Sequence, residues 1–225
     1  MSNYLQYGDL VLITQGGDSS SELRAGYLSS TVFGSKKLWF QRLAREGAAG
    51  AAGGLPSVVG DLVFQITPKL KFLYHQSYRD ARKFLGSEQG GRTRLEKLER
   101  KMQEERETNR KLIEFFEGGP VTYGAEVQLM HFDSNAFVRA KSSLEGEHFF
   151  GYSVKMGDWV SNSMVFRLVP KSPTQGLGDR VRFGDQVFFL NVKFNAFLTL
   201  REERKRDPAF FFRPVDQGMA VLNFS

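Results

Sequence analysis

Hydrophobic and polar positions alternate at period two over much of the chain, and one phrase of that alternation recurs. Residues 123–140, YGAEVQLMHFDSNAFVRA, align without a gap on residues 183–200, FGDQVFFLNVKFNAFLTL. Gly124 then pairs with Gly184, Val127 with Val187, and Asn135-Ala136-Phe137 with Asn195-Ala196-Phe197. The chain opens on a third copy, Tyr7-Gly8-Asp9-Leu10-Val11, continued after a Gly/Ser-rich insertion by Gly26-Tyr27-Leu28. Alternating apolar residues around a turn of Asn, Ser or Gly predict a β-hairpin in each copy, because successive strand side chains face opposite ways and these residues favour turns.

A second phrase closes the units: LVFQITPK at residues 62–69 and MVFRLVPK at 164–171, with AVLNFS at the C-terminus as a weaker echo. Each unit is thus a hairpin, a variable middle and a closing strand, about fifty residues long without insertions. Three such units predict an all-β fold with a helical insertion, a β-trefoil barrel whose closure leaves no free sheet edge. Residues 1–225 read as one domain, with a helical arm inserted at about residues 70–119.

Within that arm the apolar period changes from two to about three and a half, which predicts a helical hairpin. Leu70, Leu73, Tyr74, Ser77, Ala81, Phe84 and Leu85 share one face of the first helix, and Gly86 with residues 87–91 supplies the stop and turn. Leu95, Leu98, Met102, Glu105, Asn109, Leu112 and Phe116 form an a/d seam on the second, interrupted by polar Glu105 and Asn109, before Gly118-Gly119-Pro120 ends it. From Arg92 to Phe116 this helix would span roughly 37 Å, longer than the barrel needs for cover, so part of it projects. Glu96–Arg100 and Glu107–Lys111 stand four apart in the favourable order. The seam either packs the two helices on each other or also docks a partner.

Composition narrows the function. Hydrophobic residues make up 41% of the 225, with 21 Phe, enough for a real core and against disorder. Cys is absent, which excludes disulfides and thiolate metal sites and fits a reducing compartment. No apolar run reaches the length of a membrane span, and no signal peptide opens the chain. The net charge of +6 invites acidic partners. Its basic clusters, at Lys36-Lys37 and residues 69–71, 79–83, 92–94 and 201–206, are mostly interleaved with acids and read as solvated faces, so no nucleic acid is expected.

Candidate chemistry is sparse. His75, His131 and His148 stand at no metal-ligand spacing, so no metal is expected. The recurring Gly-Asp pairs at 8–9, 60–61, 157–158, 178–179 and 184–185 suit turns better than paired acid catalysis. The run GAAGAAGG at 47–54 lacks the Lys and Ser/Thr of a phosphate loop and reads as a linker. With no nucleophile elbow or Walker motif either, the chain reads as a non-enzyme with no catalytic residues and no cofactor.

The ordered phrases YGDLVLI, GYLSSTVFGSKK, DLVFQITP, ETNRKL, YGAEVQLMHFDSNAFV and GDRVRFGDQVFFL resemble the N-terminal suppressor domain of inositol 1,4,5-trisphosphate receptor calcium-release channels, over nearly the whole chain. Ryanodine receptors share the opening, whereas ETNRKL in a long arm is more similar to the trisphosphate receptors. The resemblance implies a regulatory domain that does not hold the trisphosphate itself. It lowers the affinity of the ligand-binding core that follows, and passes the binding signal on through contacts between subunits of a tetramer. It places the domain on the cytosolic face of the endoplasmic reticulum or another calcium store, membrane-linked only through the full-length channel, with regulatory proteins as possible partners of the arm.

Two contact loops are implied: residues 31–37, with Thr31, Phe33, Gly34, Ser35, Lys36 and Lys37, and residues 170–179, with Pro170, Lys171 and Ser172. Ser35 and Lys36 stand where the family carries an acidic pair, while Lys37 keeps the basic character that follows. Ser172 stands for an aromatic tied to suppression, and Gly60 and Asp133 for basic contact residues. The alternative is a free-standing β-trefoil that binds sulfated sugars or phosphoinositides through basic loops; actin bundling fits a single trefoil with a long arm poorly. The end of the chain just after the last expected strand reads as a boundary inside a longer protein.

Overall fold

The computed structural model describes residues 3–15, 26–30, 38–42, 59–84, 89–142, 149–155, 162–201, 209–214 and 222–224. Among these lie twelve strands and two α-helices. The predicted hairpins appear as β1 (Leu10–Gln15) with β2 (Gly26–Ser30), β5 (Glu126–His131) with β6 (Ala136–Ser142), and β9 (Gln186–Asn191) with β10 (Ala196–Arg201). The closing strands are β4 (Val63–Pro68), β8 (Phe166–Pro170) and β12 (Leu222–Phe224). Each variable middle contributes one strand more: β3 (Leu38–Arg42), β7 (Phe149–Lys155) and β11 (Ala209–Pro214).

Antiparallel pairing closes six strands on themselves in the order β1–β4–β5–β8–β9–β12 and back to β1. Val11 pairs with Phe64, Phe64 with His131, Val127 with Phe166, Leu168 with Phe189, and Val187 with Leu222. Three further hairpins, β2–β3, β6–β7 and β10–β11, meet one another where β11 pairs with both β3 and β7. Each of the six strands of the ring is thereby paired on both sides, so none of them presents a free edge.

The internal repeat is visible in the hydrogen bonds. Leu5 N–H donates to the Val181 carbonyl, Val181 N–H to Val121 and Val121 N–H to Leu5, at 2.8, 2.9 and 2.8 Å, a closed cycle through three equivalent residues. Gly8, Gly124 and Gly184 carry φ of 95°, 86° and 84° in the turns that enter β1, β5 and β9, a conformation that costs any residue with a Cβ. The β5–β6 and β9–β10 turns also match. Asn135 and Asn195 take left-handed φ of 51° and 47°, while the side chains of His131 and Asn191 accept from the N–H of Ser134 and Phe194.

The core repeats in layers. Val11, Val127 and Val187 occupy one, and Ile13, Leu129 and Phe189 the next, all fully buried beside Phe64, Ile66, Phe166 and Leu168. Each such side chain contributes about 1.5–3 kcal/mol on leaving water, so period-two alternation fixes which strand face turns inward.

The arm consists of α1 (Leu73–Phe84) and α2 (Gln89–Phe116), packed on each other. The expected seam faces inward, with Met102, Glu105 and Asn109 buried and Leu95, Leu98, Leu112 and Phe116 half-buried. Two expectations change. The second helix starts at Gln89, so Gly90 and Gly91 lie in its first turns and not in the connecting loop. The first starts at Leu73, after Leu70 and Lys71, which bond to the barrel and to α2. Its buried residue is Ala81, with Tyr74, Ser77 and Tyr78 half-buried, whereas Leu73 and Phe84 are exposed.

The later start has a physical cause. The Asn109 side chain accepts from Lys71 N–H at 2.9 Å and donates to the Lys71 carbonyl at 2.5 Å, and Gln128 accepts from Leu70 N–H at 3.3 Å. The Lys71 carbonyl, which an earlier turn would offer to His75 N–H, is thus taken by Asn109, and His75 N–H goes to Glu105 instead. Of the expected helix ion pairs, Glu107–Lys111 forms at 3.7 Å, and Arg100 pairs with Glu104 at 3.9 Å. Arg110 bridges Glu107 and Glu114. All are exposed and add little stability.

Candidate contact surfaces

The loop that leaves β8 is built by its own short-range bonds. Lys171 is tied to Gln186 by backbone and side chain, at 3.1 and 2.9 Å. Ser172 Oγ accepts from Thr174 N–H at 3.3 Å, and Asp179 Oδ2 accepts from Gly176 N–H at 2.7 Å. Gly178 N–H then donates to the Tyr123 carbonyl and Tyr123 N–H to that of Asp179, both at 2.9 Å, which pins the loop across the turn before β5. Leu177 stands 77% exposed at its crest. Pro170, Lys171 and Ser172 are thus consecutive positions on a shaped surface, and Ser172 is partly covered.

Gly60 and Asp133, expected separately, are neighbours. Gly60 lies in the short 3-10 helix Val59–Leu62, and a Cβ there would stand 1.9 Å from Asp133 Oδ2. Among the described residues no hydrogen bond or ion pair joins them to the loop after β8. Thr31, Phe33, Gly34, Ser35, Lys36 and Lys37 lie outside the described residues, as do His148 and the run 47–54.

Elsewhere polar groups serve the fold. Glu126 accepts from Lys69 Nζ at 2.7 Å and from Arg167 Nη2 at 2.9 Å, and these bonds, Lys69's foremost, hold its carboxyl below the usual range against the opposing effect of burial. Two of the chain's basic residues are neutralised there. Tyr123 Oη donates to Asp185 Oδ2 at 2.9 Å, and burial, then this bond, pushes the phenol well above its ordinary value. His131 is buried with Nδ1 at 2.8 Å from Ser134 Oγ. Arg106 donates to His75 Nε2 at 3.1 Å, and burial holds His75 below its usual value, helped by Arg106 and opposed by Glu105. No group of His, Asp and Glu able to hold a metal occurs among the described residues, and no helix there is long and apolar enough to cross a membrane.

Where α2 meets the barrel, a cleft of about 210 Å³ opens between Tyr7, Ile66, Pro68, Ile113, Glu117 and Phe137. The Tyr7 ring packs on Phe116 at 5.1 Å, so the aromatic that opens the first repeat anchors the end of the arm.

Residues 1–209 match the inositol 1,4,5-trisphosphate/ryanodine receptor family. The chain belongs to that family. The match covers the N-terminal region and bears out the resemblance to the trisphosphate-receptor suppressor domain, making this an N-terminal domain of a calcium-release channel. The family is one of receptors and channels, not of enzymes. No curated protein matches the chain.

Sequence reading of this receptor domain missed two features. The Lys69–Glu126–Arg167 cluster depends on strand register, which pairs Glu126 with Arg167 across β5 and β8. Arg180, Arg182 and Phe183 were legible in principle, because they stand where the other two repeats carry Pro120, Thr122 and Tyr123, and Tyr4, Gln6 and Tyr7.

Proposed function

We propose that this receptor domain is a β-trefoil of suppressor type that regulates the channel by contact, without holding the trisphosphate itself. The observation that carries the reading is the family match over residues 1–209, on a barrel whose closed strand ring and threefold hydrogen-bond cycle accord with a trefoil. Contact in place of ligand capture is supported by how the polar side chains are used: Glu126, Asp185, Glu105 and Asn109 are each engaged by neighbouring groups of the domain. The proposed contact surfaces are the loop of Pro170, Lys171 and Ser172, the Gly60–Asp133 pair, and Thr31 to Lys37. Their partners are the ligand-binding core that follows in the channel and neighbouring subunits, at the endoplasmic-reticulum membrane.

The test compares trisphosphate affinity of the downstream core with and without residues 1–225. Weaker binding in the presence of the domain is expected, and equal affinity overturns suppression. Calorimetry on residues 1–225 alone is expected to show no saturable trisphosphate binding; micromolar binding would sink the non-binding half of the reading.

A further inference from the structure

Seven prolines occur in the chain, and two of them follow a hydroxyl side chain: Thr67-Pro68 and Ser172-Pro173. Proline has no N–H, so a hydroxyl residue ahead of it suits a protein kinase whose cleft offers no acceptor to the next backbone position. The fold separates the two pairs. Thr67 lies in β4 with 5% of its surface exposed, paired across to Gln128 of β5, and its hydroxyl donates to the Gln128 carbonyl at 3.2 Å. A kinase cannot reach that oxygen without opening β4 from β5.

Ser172 stands instead in the loop that leaves β8, half-buried, with Pro173 and Thr174 exposed beside it. Its hydroxyl is engaged only two residues away: Oγ lies 2.7 Å from Thr174 Oγ1 and accepts from Thr174 N–H at 3.3 Å, both at the surface. Short-range exposed bonds of this kind open without disturbing a sheet. Pro173 fixes its own φ and biases Ser172 toward the extended backbone that a kinase cleft threads, and Pro170 stands two residues ahead of the serine.

The surroundings also suit an added phosphate. Lys171 Nζ bonds to the neutral Gln186 Oε1 at 2.9 Å and, among the described residues, to no carboxylate. The one acid of residues 170–179 is Asp179, whose carboxylate already accepts from Gly176 N–H at 2.7 Å. Thr174 N–H, already directed at Oγ, is a ready donor to a phosphoryl oxygen at that position.

We propose that Ser172 is a phosphorylation site for a proline-directed serine/threonine kinase, with ATP as the donor. The bond from the γ-phosphorus to the β–γ bridging oxygen breaks and the bond from that phosphorus to Ser172 Oγ forms; the hydroxyl proton passes to a base of the kinase, and ADP leaves. The product carries about 1.5–2 negative charges at neutral pH. Its effect on the channel rests on the contact role proposed above for this loop, whereas the modification itself does not.

The test incubates folded residues 1–225 with ATP and, in parallel, a purified mitogen-activated and a purified cyclin-dependent kinase, and locates phosphate by peptide mass spectrometry. Incorporation at Ser172 by at least one of them is expected, with Thr67 unmodified. Ser172→Ala should abolish it and Pro173→Ala should slow it at least about tenfold, while Thr174→Ala keeps it. A synthetic peptide of residues 168–176 is the unfolded comparator, and the folded chain should be modified within about a hundredfold of its rate. No incorporation at Ser172 of the folded chain, whether or not the peptide is modified, phosphate on Thr174 in its place, or a rate indifferent to Pro173→Ala would overturn the proposal. None of these readouts depends on trisphosphate affinity, so failure here and failure of suppression are told apart.

Discussion

Glu105, on the buried seam of α2, accepts hydrogen bonds from the backbone N–H of Tyr74 at 3.1 and 3.3 Å, in the first turn of α1. The same carboxylate takes His75 N–H at 3.2 Å, so one helix caps another from the side. It satisfies two of the free N–H groups at a helix start and places negative charge at the positive end of the dipole. Glu105→Ala should destabilise the domain by about 1–3 kcal/mol, since buried donors lose their partner. Faster hydrogen exchange at Tyr74 and His75 than at β4 amides checks it; uniform exchange would show that the cap does not hold α1.

Gly60 and Asp133 should couple weakly. Asp133 is exposed and its carboxylate can swing aside, so Gly60→Ala is expected to cost less than about 1 kcal/mol and to become neutral in an Asp133→Ala background. Denaturant titrations of the four proteins in that cycle measure this. A large cost that persists without the Asp133 carboxylate would mean that the backbone at Gly60, and not its neighbour, sets the limit.

The two glycines before β5 and β9 separate strain from packing. Gly184→Ala meets nothing within 4 Å among the described residues and should cost only the left-handed conformation, about 1–2 kcal/mol. Gly124→Ala has the same φ penalty and must also displace Leu177, 3.1 Å away, so it is expected to cost more. Equal melting temperatures for the two variants would contradict the packing of the loop after β8 on Gly124.

Glu126 links pH to stability. Its carboxyl is held below the ordinary value, so its contribution is fully present above the unfolded carboxylate range and is lost as pH falls through the lower folded value. With Lys69 and Arg167 both partly exposed, the effect stays under about 1 kcal/mol. Stability measured from pH 6 down to 3 should fall less steeply for Glu126→Gln than for the parent chain; identical slopes would remove the cluster as a source of acid sensitivity.

His75 acts in a higher window. Its folded value lies below the unfolded one, chiefly through burial, so the neutral ring is favoured and its contribution, complete above about pH 6.5, is lost as pH falls. His75→Gln should flatten the dependence between pH 7 and 5, by less than about 1 kcal/mol. A slope unchanged by the substitution would place the charged ring comfortably in the fold.

The strands, their repeat and the inward residues were legible because a strand states its burial every second residue and the chain states it three times over. Val11, Val127 and Val187 could be aligned before any coordinate was known, and so could the positions of Gly8, Gly124 and Gly184. The seam from Leu95 to Phe116 was legible for the same reason at helical period. What the sequence left open was decided by contacts between residues far apart in the chain. Glu105 and Asn109 read as interruptions of an apolar seam, and only the return of residues 71–75 across α2 turns them into caps. Gly60 and Asp133 touch because Phe132 N–H bonds to the Val63 carbonyl where β4 begins. Tyr7 and Tyr123 are buried because Phe116 and Leu177, each far from them in the chain, are brought over their turns. Local periodicity reports a residue's own burial; the partner across the gap is set by closure of the barrel, a property of the whole chain.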